Sequence, residues 1–337
     1  MILRNFRTSL RFFLILSALI GVSEVFLRLP LFPAISFRLE DKRLHCLSQG
    51  TIPWIQLCPN SDKNLYLPQK ERGYRIRTNE YGERISYEPG KEPKLPQGEL
   101  WILGDSVAMG YLVQDEETIS WKLAERNPNL RIRNLGVDSG GTLGILNILR
   151  TNISSFGLPK ASYWIYHISD LEDSFREERM LNSGKNRFSI RLSYYLSRYS
   201  ALFNALKILS ENLKPEWAEN RIESVPESAS PILTPNHPHT TALLSLFSFC
   251  KENGFPLVLV LVPEPNREYL PVFHSQLLEE LKSLADQNGI PVLDLREDLA
   301  SFWKSTSTPL FLPKDGHPNP TMYTRIAEAI EKEGPKR

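Results

Sequence analysis

The chain has 337 residues, of which 41% are hydrophobic and 23% charged, a composition typical of a folded globular protein with room for one large domain and its attachments. Its 40 basic residues are matched by 39 acidic ones, so the formal net charge is only +1. Because no long basic block is present, the sequence excludes the usual electrostatic pattern of a nucleic-acid-binding protein, and we expect no nucleic-acid partner.

The N-terminus predicts an export signal. Three arginines and no acidic residue precede an apolar run over residues 12–29, which approaches the ~20 residues needed to span a bilayer. Gly21 and Ser23 would also suit a signal peptidase, so a cleaved signal peptide competes with an uncleaved anchor. We favour an anchor over residues 1–29. The positive-inside rule then places the rest of the chain outside the cytoplasm, in a periplasm or at the cell surface. Cleavage would make the protein secreted.

Residues 30–97 form a lead-in segment rich in proline, glycine and charge. Within it, the alternating pattern of residues 73–87 predicts a hairpin. Cys46 and Cys58 flank a short segment with proline, glycine and tryptophan, and they would form a disulfide in an oxidising compartment or else remain two free thiols. Cys250 stays unpaired on a predicted helix.

From residue 98 to residue 333, short apolar runs alternate with helical stripes. The runs are residues 100–103, 131–135, 162–168, 257–262 and 291–295. The stripes are residues 143–153, 243–250, 277–284 and 322–330. Short continuous runs are typical of strands buried on both faces, so the alternation predicts an α/β protein with an open, doubly wound parallel sheet. Ligands of such sheets bind beyond the carboxyl ends of the strands.

A long insertion, residues 174–240, interrupts this alternation after the third strand. Residues 194–213 have a helical pattern, and residues 214–240 are rich in proline and serine and predict a loop. An insertion of this length at a strand end is expected to cover the active edge as a lid or a partner surface.

Residues that could act in catalysis stand in two blocks, one directly after the first strand and one just before the last helix. Ser106 lies in "GDS" directly after the first strand, where a turn into a helix would expose its hydroxyl to free backbone N–H groups. By itself this is an ordinary turn sequence, and Asp105 is expected to cap the following helix. A serine nucleophile also needs a base, and His317, in "KDGHPNP" with Asp315 two residues before it, offers an imidazole that a carboxylate can orient.

Four blocks in order, "GDSxxxG", "NxGxxxGGT", an aspartate after the third strand and "DGHPNP", resemble the GDSL or SGNH hydrolase family over about residues 99–330. The resemblance implies a flavodoxin-like three-layer α/β/α fold. It also implies Ser106 as nucleophile, His317 as general base and Asp315 as its orienter, with no cofactor. The segment "YRIRTNEYGERI" and the N-terminal anchor resemble membrane-attached members that modify cell-envelope material.

The family takes its oxyanion donors from the serine N–H, a glycine and an asparagine, so the resemblance assigns them here to Ser106, Gly140 and Ser169. An alternative register of the second block puts Ser139 in place of Gly140. Ser169 stands where the family has asparagine, and loss of one such donor typically costs ~100- to 1,000-fold in rate. Lys314 also occupies the place where the family usually has its aspartate.

Two functions compete. The first is a serine esterase or O-acyltransferase that acts on acyl esters of envelope carbohydrate or lipid through an acyl-enzyme. The second is a catalytically weakened relative that binds acylated glycan or scaffolds an envelope complex. An unrelated binding protein with chance motifs would hold Ser106 and His317 far apart. No metal is expected, since His237 and His239 in the proline-rich loop have no further ligands beside them. The oligomeric state is open.

Overall fold

The computed structural model describes residues 2–48, 52–67, 71–182, 184–212 and 231–333. It begins with a long helix, α1 (Ile2–Phe26), followed by α2 (Pro33–Leu44). The segment Ser9–Phe26 of α1 has a mean hydropathy of 1.8 and none of it is buried, so this helix is long and apolar enough to cross a membrane, and it is equally consistent with a signal sequence.

The lead-in segment contains two antiparallel pairs of strands. Strands β1 (His45–Leu47) and β2 (Ile55–Leu57) pair with each other, and a disulfide joins Cys46 to Cys58 across them. Strands β3 (Asp62–Leu67) and β4 (Arg72–Arg77) form a hairpin. The sequence predicted a hairpin over residues 73–87, but the stretch after β4 contributes only isolated bridges, from Thr78 to Arg84 and from Arg84 to Asn134, because β4 pairs with β3 upstream.

The core is one five-stranded parallel sheet. Its strands are β5 (Glu99–Gly104), β6 (Arg131–Asn134), β7 (Ala161–Tyr166), β8 (Leu257–Leu261) and β11 (Val292–Asp294), in the order β11-β8-β7-β5-β6. The two-residue strands β9 (Glu264–Pro265) and β10 (Pro271–Val272) pair beside it. All five predicted runs are therefore strands of one sheet, and the α/β fold class is confirmed.

Helices cover both faces of the sheet. Those after the lead-in are α3 (Ser106–Met109), α4 (Ile119–Arg126), α5 (Thr142–Phe156), α6 (Ser169–Asn182), α7 (Gly184–Tyr199), α8 (Ala201–Asn212), α9 (Pro238–Glu252), α10 (Gln276–Gln287), α11 (Arg296–Thr306) and α12 (Pro320–Glu333). Helices α5, α9 and α10 pack on the face that presents Trp101 and Leu103. Helices α4, α11 and α12 pack on the face that presents Ile102, as the period-2 alternation of strand side chains requires.

The helices of the insertion differ in number from those predicted. The helical stretch predicted over residues 194–213 is two helices, α7 and α8, which meet at Ser200. The Ser200 hydroxyl accepts from the backbone N–H of Phe203 at 3.0 Å and so caps α8, which starts a new helix at that point. Of the predicted loop over residues 214–240, residues 214–230 lie outside the described residues, and α9 already begins at Pro238.

The lead-in segment shares a core with the parts of the domain that carry the GDS and DGH motifs. Leu65, Tyr74 and Ile76 of the hairpin are buried in one cluster with Met109 of α3 and Leu312. Burial of these side chains fixes the lead-in against the carboxyl edge of the sheet, where the sequence places its candidate chemistry.

Candidate active site

Ser106 lies at the sharp turn from β5 into α3. Gly104 at this turn has a φ of +141°, and a Cβ there would lie 2.6 Å from the backbone oxygen of Ile165, so only glycine fits. Asp105 is the N-cap of α3 and accepts from the Val107 N–H at 2.8 Å, which confirms its predicted capping role. Ser106 is thereby the first residue of a helix whose leading N–H groups point beyond the strand end.

His317 reaches Ser106 across 211 positions of sequence. Its Nε2 lies 2.9 Å from Ser106 Oγ, and its Nδ1 contacts the carboxylate of Asp315. Asp315 also accepts from the His317 backbone N–H at 3.2 Å, which keeps the two side chains in register. A carboxylate on Nδ1 selects the tautomer whose Nε2 can accept the serine proton. The alternative of chance motifs held far apart does not fit this distance.

The loop that carries His317 is held on both sides. Phe311 bridges Pro318 as an isolated antiparallel pair, and the Leu312 N–H donates to the His317 backbone oxygen at 2.8 Å. Tyr111 packs against the imidazole with 4.9 Å between ring centroids. These contacts restrict the rotamer of the base and so prepare the serine–histidine hydrogen bond.

Two of the residues that the resemblance assigns to oxyanion binding are engaged elsewhere. The Gly140 N–H donates to the Val137 oxygen at 2.9 Å. The Ser169 hydroxyl donates to the Asp105 carboxylate and also lies 2.7 Å from His167 Nδ1. Their role toward an oxyanion stays a prediction. The alternative residue, Ser139, has a φ of +61° and its backbone oxygen accepts from Arg176.

His167, which the sequence reasoning passed over, belongs to this site. Its Nδ1 lies 3.5 Å from the Asp105 carboxylate, and its ring stacks near that of His317 with 6.4 Å between centroids. Burial alone would lower the pKa of His167, but the hydrogen bond and charge of Asp105 raise it above its ordinary value. The same pair lowers the pKa of Asp105 against its burial. The site therefore holds a second histidine whose protonated form is more stable than that of an ordinary histidine. Its position directly after β7 was the signal that could have found it.

Helix α6, which begins two residues after this histidine, carries several carboxyl groups with raised pKa values. Asp170 accepts from the His167 backbone N–H at 3.3 Å, and burial together with the charge of Asp105 raises its pKa well above the ordinary value. Burial likewise raises the pKa of Asp173 to about 6 and that of Glu177 to about 7. A cluster of this kind at a strand edge is typical of a functional site, although structural networks shift pKa values as well.

Glu177 has a clear structural task. It accepts from the backbone N–H groups of Gly141 at 3.0 Å and of Leu143 and Gly144 at 2.9 Å, and thereby caps the first turn of α5. A Cβ added at Gly141 would lie 2.6 Å from its carboxylate. The glycines of the second block therefore make room for a carboxylate from α6.

A buried arginine from the lead-in segment supports helix α3. Arg84 is 1% exposed, and its guanidinium donates to the backbone oxygens of Met109 at 3.1 Å and Val113 at 2.7 Å, and to that of Gly110. Its Nε donates to Asp115 at 2.9 Å. These acceptors lie at the end of α3 and in the loop after it, so the lead-in segment helps to position Ser106.

The histidine pair considered for metal binding has other partners. His239 is buried, with Nε2 2.9 Å from the Tyr166 hydroxyl and Nδ1 2.7 Å from Ser174 Oγ. Burial lowers its pKa to about 3, so it is a neutral core histidine. His237 Nδ1 accepts from the His239 N–H at the start of α9. Among the described residues, no group of three or more histidine, cysteine or acidic side chains is arranged to hold a metal ion.

Comparison with known proteins yields structural neighbours only. No family model matches the sequence, and no curated protein matches it. The chain is similar in structure to a lipolytic G-D-S-L family protein from Veillonella parvula, at 12% identity and a TM-score of 0.42, over 71% of this chain and 99% of that one. A putative lipolytic G-D-S-L protein from Desulfitobacterium hafniense matches at 12% identity and a TM-score of 0.40, over 69% and 98%.

A catalytic mutant of an acetylxylan esterase from Geobacillus stearothermophilus matches at 12% identity and a TM-score of 0.39, over 71% of this chain and 94% of that one. At these identities and TM-scores the likeness supports no statement about the function of this protein. The roles of individual residues therefore rest on the contacts described above.

Proposed function

We propose that this protein is a serine esterase or O-acyltransferase of the SGNH type, which works through an acyl-enzyme on Ser106. The observation that carries the proposal is the continuous chain from Ser106 Oγ to His317 Nε2, at 2.9 Å, and from His317 Nδ1 to Asp315. A serine hydroxyl is not ionised near neutral pH, and this arrangement supplies both the base that it needs and the carboxylate that orients the base.

The mechanism follows from these contacts. Ser106 Oγ attacks the ester carbonyl while His317 Nε2 takes its proton, and the resulting imidazolium is stabilised by Asp315. His317 then donates this proton to the departing alcohol, which leaves the acyl group on Ser106. Water, or the hydroxyl of an acceptor, loses a proton to His317 and attacks the acyl-enzyme, and the serine is restored. Hydrolysis and transfer share every step except the identity of this second nucleophile.

The N-terminal helix favours a membrane-anchored protein whose catalytic domain lies outside the cytoplasm. The exposed apolar window of α1 and the arginines before it support this placement. The disulfide between Cys46 and Cys58 agrees with an oxidising compartment. The substrate class that fits this location is an acylated glycan or lipid of the cell envelope.

A second function is favoured by the occupied oxyanion donors. Because the Gly140 N–H and the Ser169 hydroxyl already have intramolecular acceptors, a weakened relative that binds acylated glycan without turning it over remains the competing proposal. Glycan binding by the wild-type protein that survives Ser106→Ala, together with no detectable turnover, would favour it.

Labelling by a fluorophosphonate probe and hydrolysis of a short-chain p-nitrophenyl ester test the first function. We expect Ser106→Ala to abolish labelling, and Ser106→Ala or His317→Ala to lower kcat by about 10⁴-fold or more, with Asp315→Asn lowering it by about 10²- to 10⁴-fold. Ser154→Ala, at an exposed serine of α5, is the matched control. Turnover that does not depend on Ser106 and His317 would refute the proposal. Adding a sugar alcohol and looking for its ester separates transfer from hydrolysis.

A further inference from the structure

Among the described residues, helix α7 exposes an apolar face that no other element covers. Phe188 is 69% exposed, Leu192 48%, Tyr195 53% and Tyr199 59%. Steps of four, three and four residues place these side chains on one face of the helix, along about 17 Å of its length. On α8, Leu206 and Leu209 are similarly exposed. Contiguous exposed apolar surface of this kind marks a site of association.

The corner between α7 and α8 is tied to the end of α1. The Glu24 carboxylate accepts from the backbone N–H groups of Ala201 at 2.8 Å and Leu202 at 3.3 Å, and from the Ser200 hydroxyl. Glu24 therefore caps α8 from another helix, where a carboxylate is favoured by the free N–H groups. Arg28 donates to the Tyr199 backbone oxygen at 2.6 Å. The last turn of α7 is thus hydrogen-bonded directly to a residue that follows α1.

The inner side of α8 reinforces this connection. Ala201 is fully buried and belongs to one apolar cluster with Ile35 and Leu39 of α2, against which Leu27 also packs. Because the inner side is occupied by α2 and the end of α1, the exposed leucines of α8 face away from the domain. Packing therefore sets the orientation of the α7–α8 pair relative to the end of α1.

The charge of α7 matches one kind of partner. Its sequence, GKNRFSIRLSYYLSRY, contains four basic residues and no acidic one, and two of these, Arg187 and Arg198, also donate to backbone oxygens within the domain. Helices that lie in the membrane interface combine an apolar face of this kind with lysine and arginine, which are attracted to anionic headgroups. Tyrosine is also enriched at the headgroup level, and two of the exposed residues are Tyr195 and Tyr199.

We propose that α7 and the outer side of α8 lie in the headgroup layer of the bilayer that α1 crosses, so that the domain is held against an anionic membrane in a fixed orientation. This inference rests on the proposed anchoring role of α1. It is independent of the chemistry at Ser106. A membrane surface on which the domain rests in this way brings the carboxyl edge of the sheet to a constant height above the lipid, which suits a substrate attached to the membrane.

Depth-dependent quenching on the full-length protein tests the proposal. Leu192→Cys would be labelled with an environment-sensitive fluorophore and the protein placed in phosphatidylcholine vesicles, with or without phosphatidylglycerol and with nitroxide lipids. The single free thiol, Cys250, is buried, and burial raises its pKa to about 12, so it does not compete for the label. Leu95→Cys is the matched control, since Leu95 is 92% exposed and lies in the lead-in segment.

We expect the label at residue 192 to shift to the blue and to lose most of its emission to nitroxides near the headgroups, more strongly when phosphatidylglycerol is present. The label at residue 95 should change little. Protein that floats with the vesicles but shows no quenching at residue 192 would overturn the proposal while leaving the anchor intact. Energy transfer between labelled copies, in place of quenching by lipid, would assign the apolar face of α7 to contact with a second copy of the chain. Protein that fails to float with the vesicles would overturn both the anchor and this membrane surface. A final comparison separates this result from the function of Ser106. In Leu192→Glu, ester turnover should stay at the wild-type level. Quenching of a label placed at Tyr199→Cys in the same protein should fall.

Discussion

The imidazole rings of His167 and His317 lie nearly parallel, with 20° between their planes and 6.4 Å between their centroids. His317 contacts Ser106, whereas His167 is linked to the Asp105 carboxylate directly and through the Ser169 hydroxyl. When His167 is protonated, it places a positive charge beside Ser106 and His317, and the hydrogen bond and charge of Asp105 raise the pKa of His167 and so favour that form. Such a charge would stabilise the negative oxygen that develops during the proposed acyl transfer. Because Asp105 already lies beside His167, the free energy needed to hold this charge is offset before any substrate binds.

Removing the Ser169 hydroxyl should change the pH dependence of activity. Ser169→Ala breaks one of the two links between His167 and Asp105, so the pKa of His167 should fall, and the alkaline loss of kcat/KM that depends on its protonation should move to lower pH. The pH profile and the titration of the imidazole by NMR measure this shift. Ser169→Thr, which keeps a hydroxyl, is the control. A uniform loss of kcat at every pH would instead assign Ser169 to the oxyanion.

Truncating Arg84 should destabilise the domain and lower activity together. Arg84→Met leaves the backbone oxygens of Met109 and Val113 without their buried donor and takes one cation from Asp115, for which we expect a loss of about 3 kcal/mol in the free energy of unfolding. Urea denaturation measures this loss. Arg75→Met removes an exposed ion pair with Asp62 and should leave stability nearly unchanged. Equal effects of the two substitutions would contradict the buried role of Arg84.

The buried carboxyl of Glu177 should make the protein less stable as pH rises. Burial raises its pKa from 4.5 to about 7 in the folded state, so the folded protein holds this proton more tightly than the unfolded chain. Its contribution to stability is present below about pH 4.5 and is lost as pH rises toward about 7. Glu177→Gln should therefore flatten the fall of Tm over this interval, which calorimetry can follow.

Asp173, whose pKa is raised to about 6, also makes the protein less stable as pH rises, in the wild type and in Glu177→Gln alike. Some fall of Tm with pH should therefore remain in Glu177→Gln. Glu172→Gln, at an exposed position of α6, is the control and should keep the wild-type slope. An unchanged slope in Glu177→Gln would show that this carboxyl is ionised in the folded protein.

Opening the disulfide should loosen the lead-in segment. The bond between Cys46 and Cys58 closes a loop with a sequence separation of 12, and a loop of this size restricts the unfolded chain by about 3 kcal/mol. We expect Cys46→Ser combined with Cys58→Ser to lower the free energy of unfolding by up to this amount, and dithiothreitol to have the same effect on the wild-type protein. Cys250→Ala in the presence of the intact bond is the control for the reductant.

The local pattern was sufficient for most of the sheet, and the order of four blocks along the chain pointed to the catalytic candidates. The apolar runs that became β5 and β8 are buried on both faces, and such runs are visible in one dimension because every residue of them is apolar. Ser106 and His317 were found because each follows a strand or precedes a helix in a recognisable block. The break between α7 and α8 at Ser200 was missed, since a serine within a continuous helical pattern does not by itself mark a helix start, and Glu24, which accepts from two further N–H groups of α8, is far away in sequence.

By itself the sequence determined the α/β class, the parallel strands and the apolar N-terminal helix, because each of these depends on neighbours within a few positions of the chain. The candidate nucleophile, base and orienter came from the resemblance of four ordered blocks to a known family. Only the tertiary structure decided which polar groups meet. The pairing of His167 with Asp105, the support of α3 by Arg84 and the engagement of Ser169 depend on segments that become adjacent when the sheet and the lead-in pack together. Hydrogen bonds and pKa values depend on distances of a few ångströms in space, and the spacing of residues along the chain does not specify those distances.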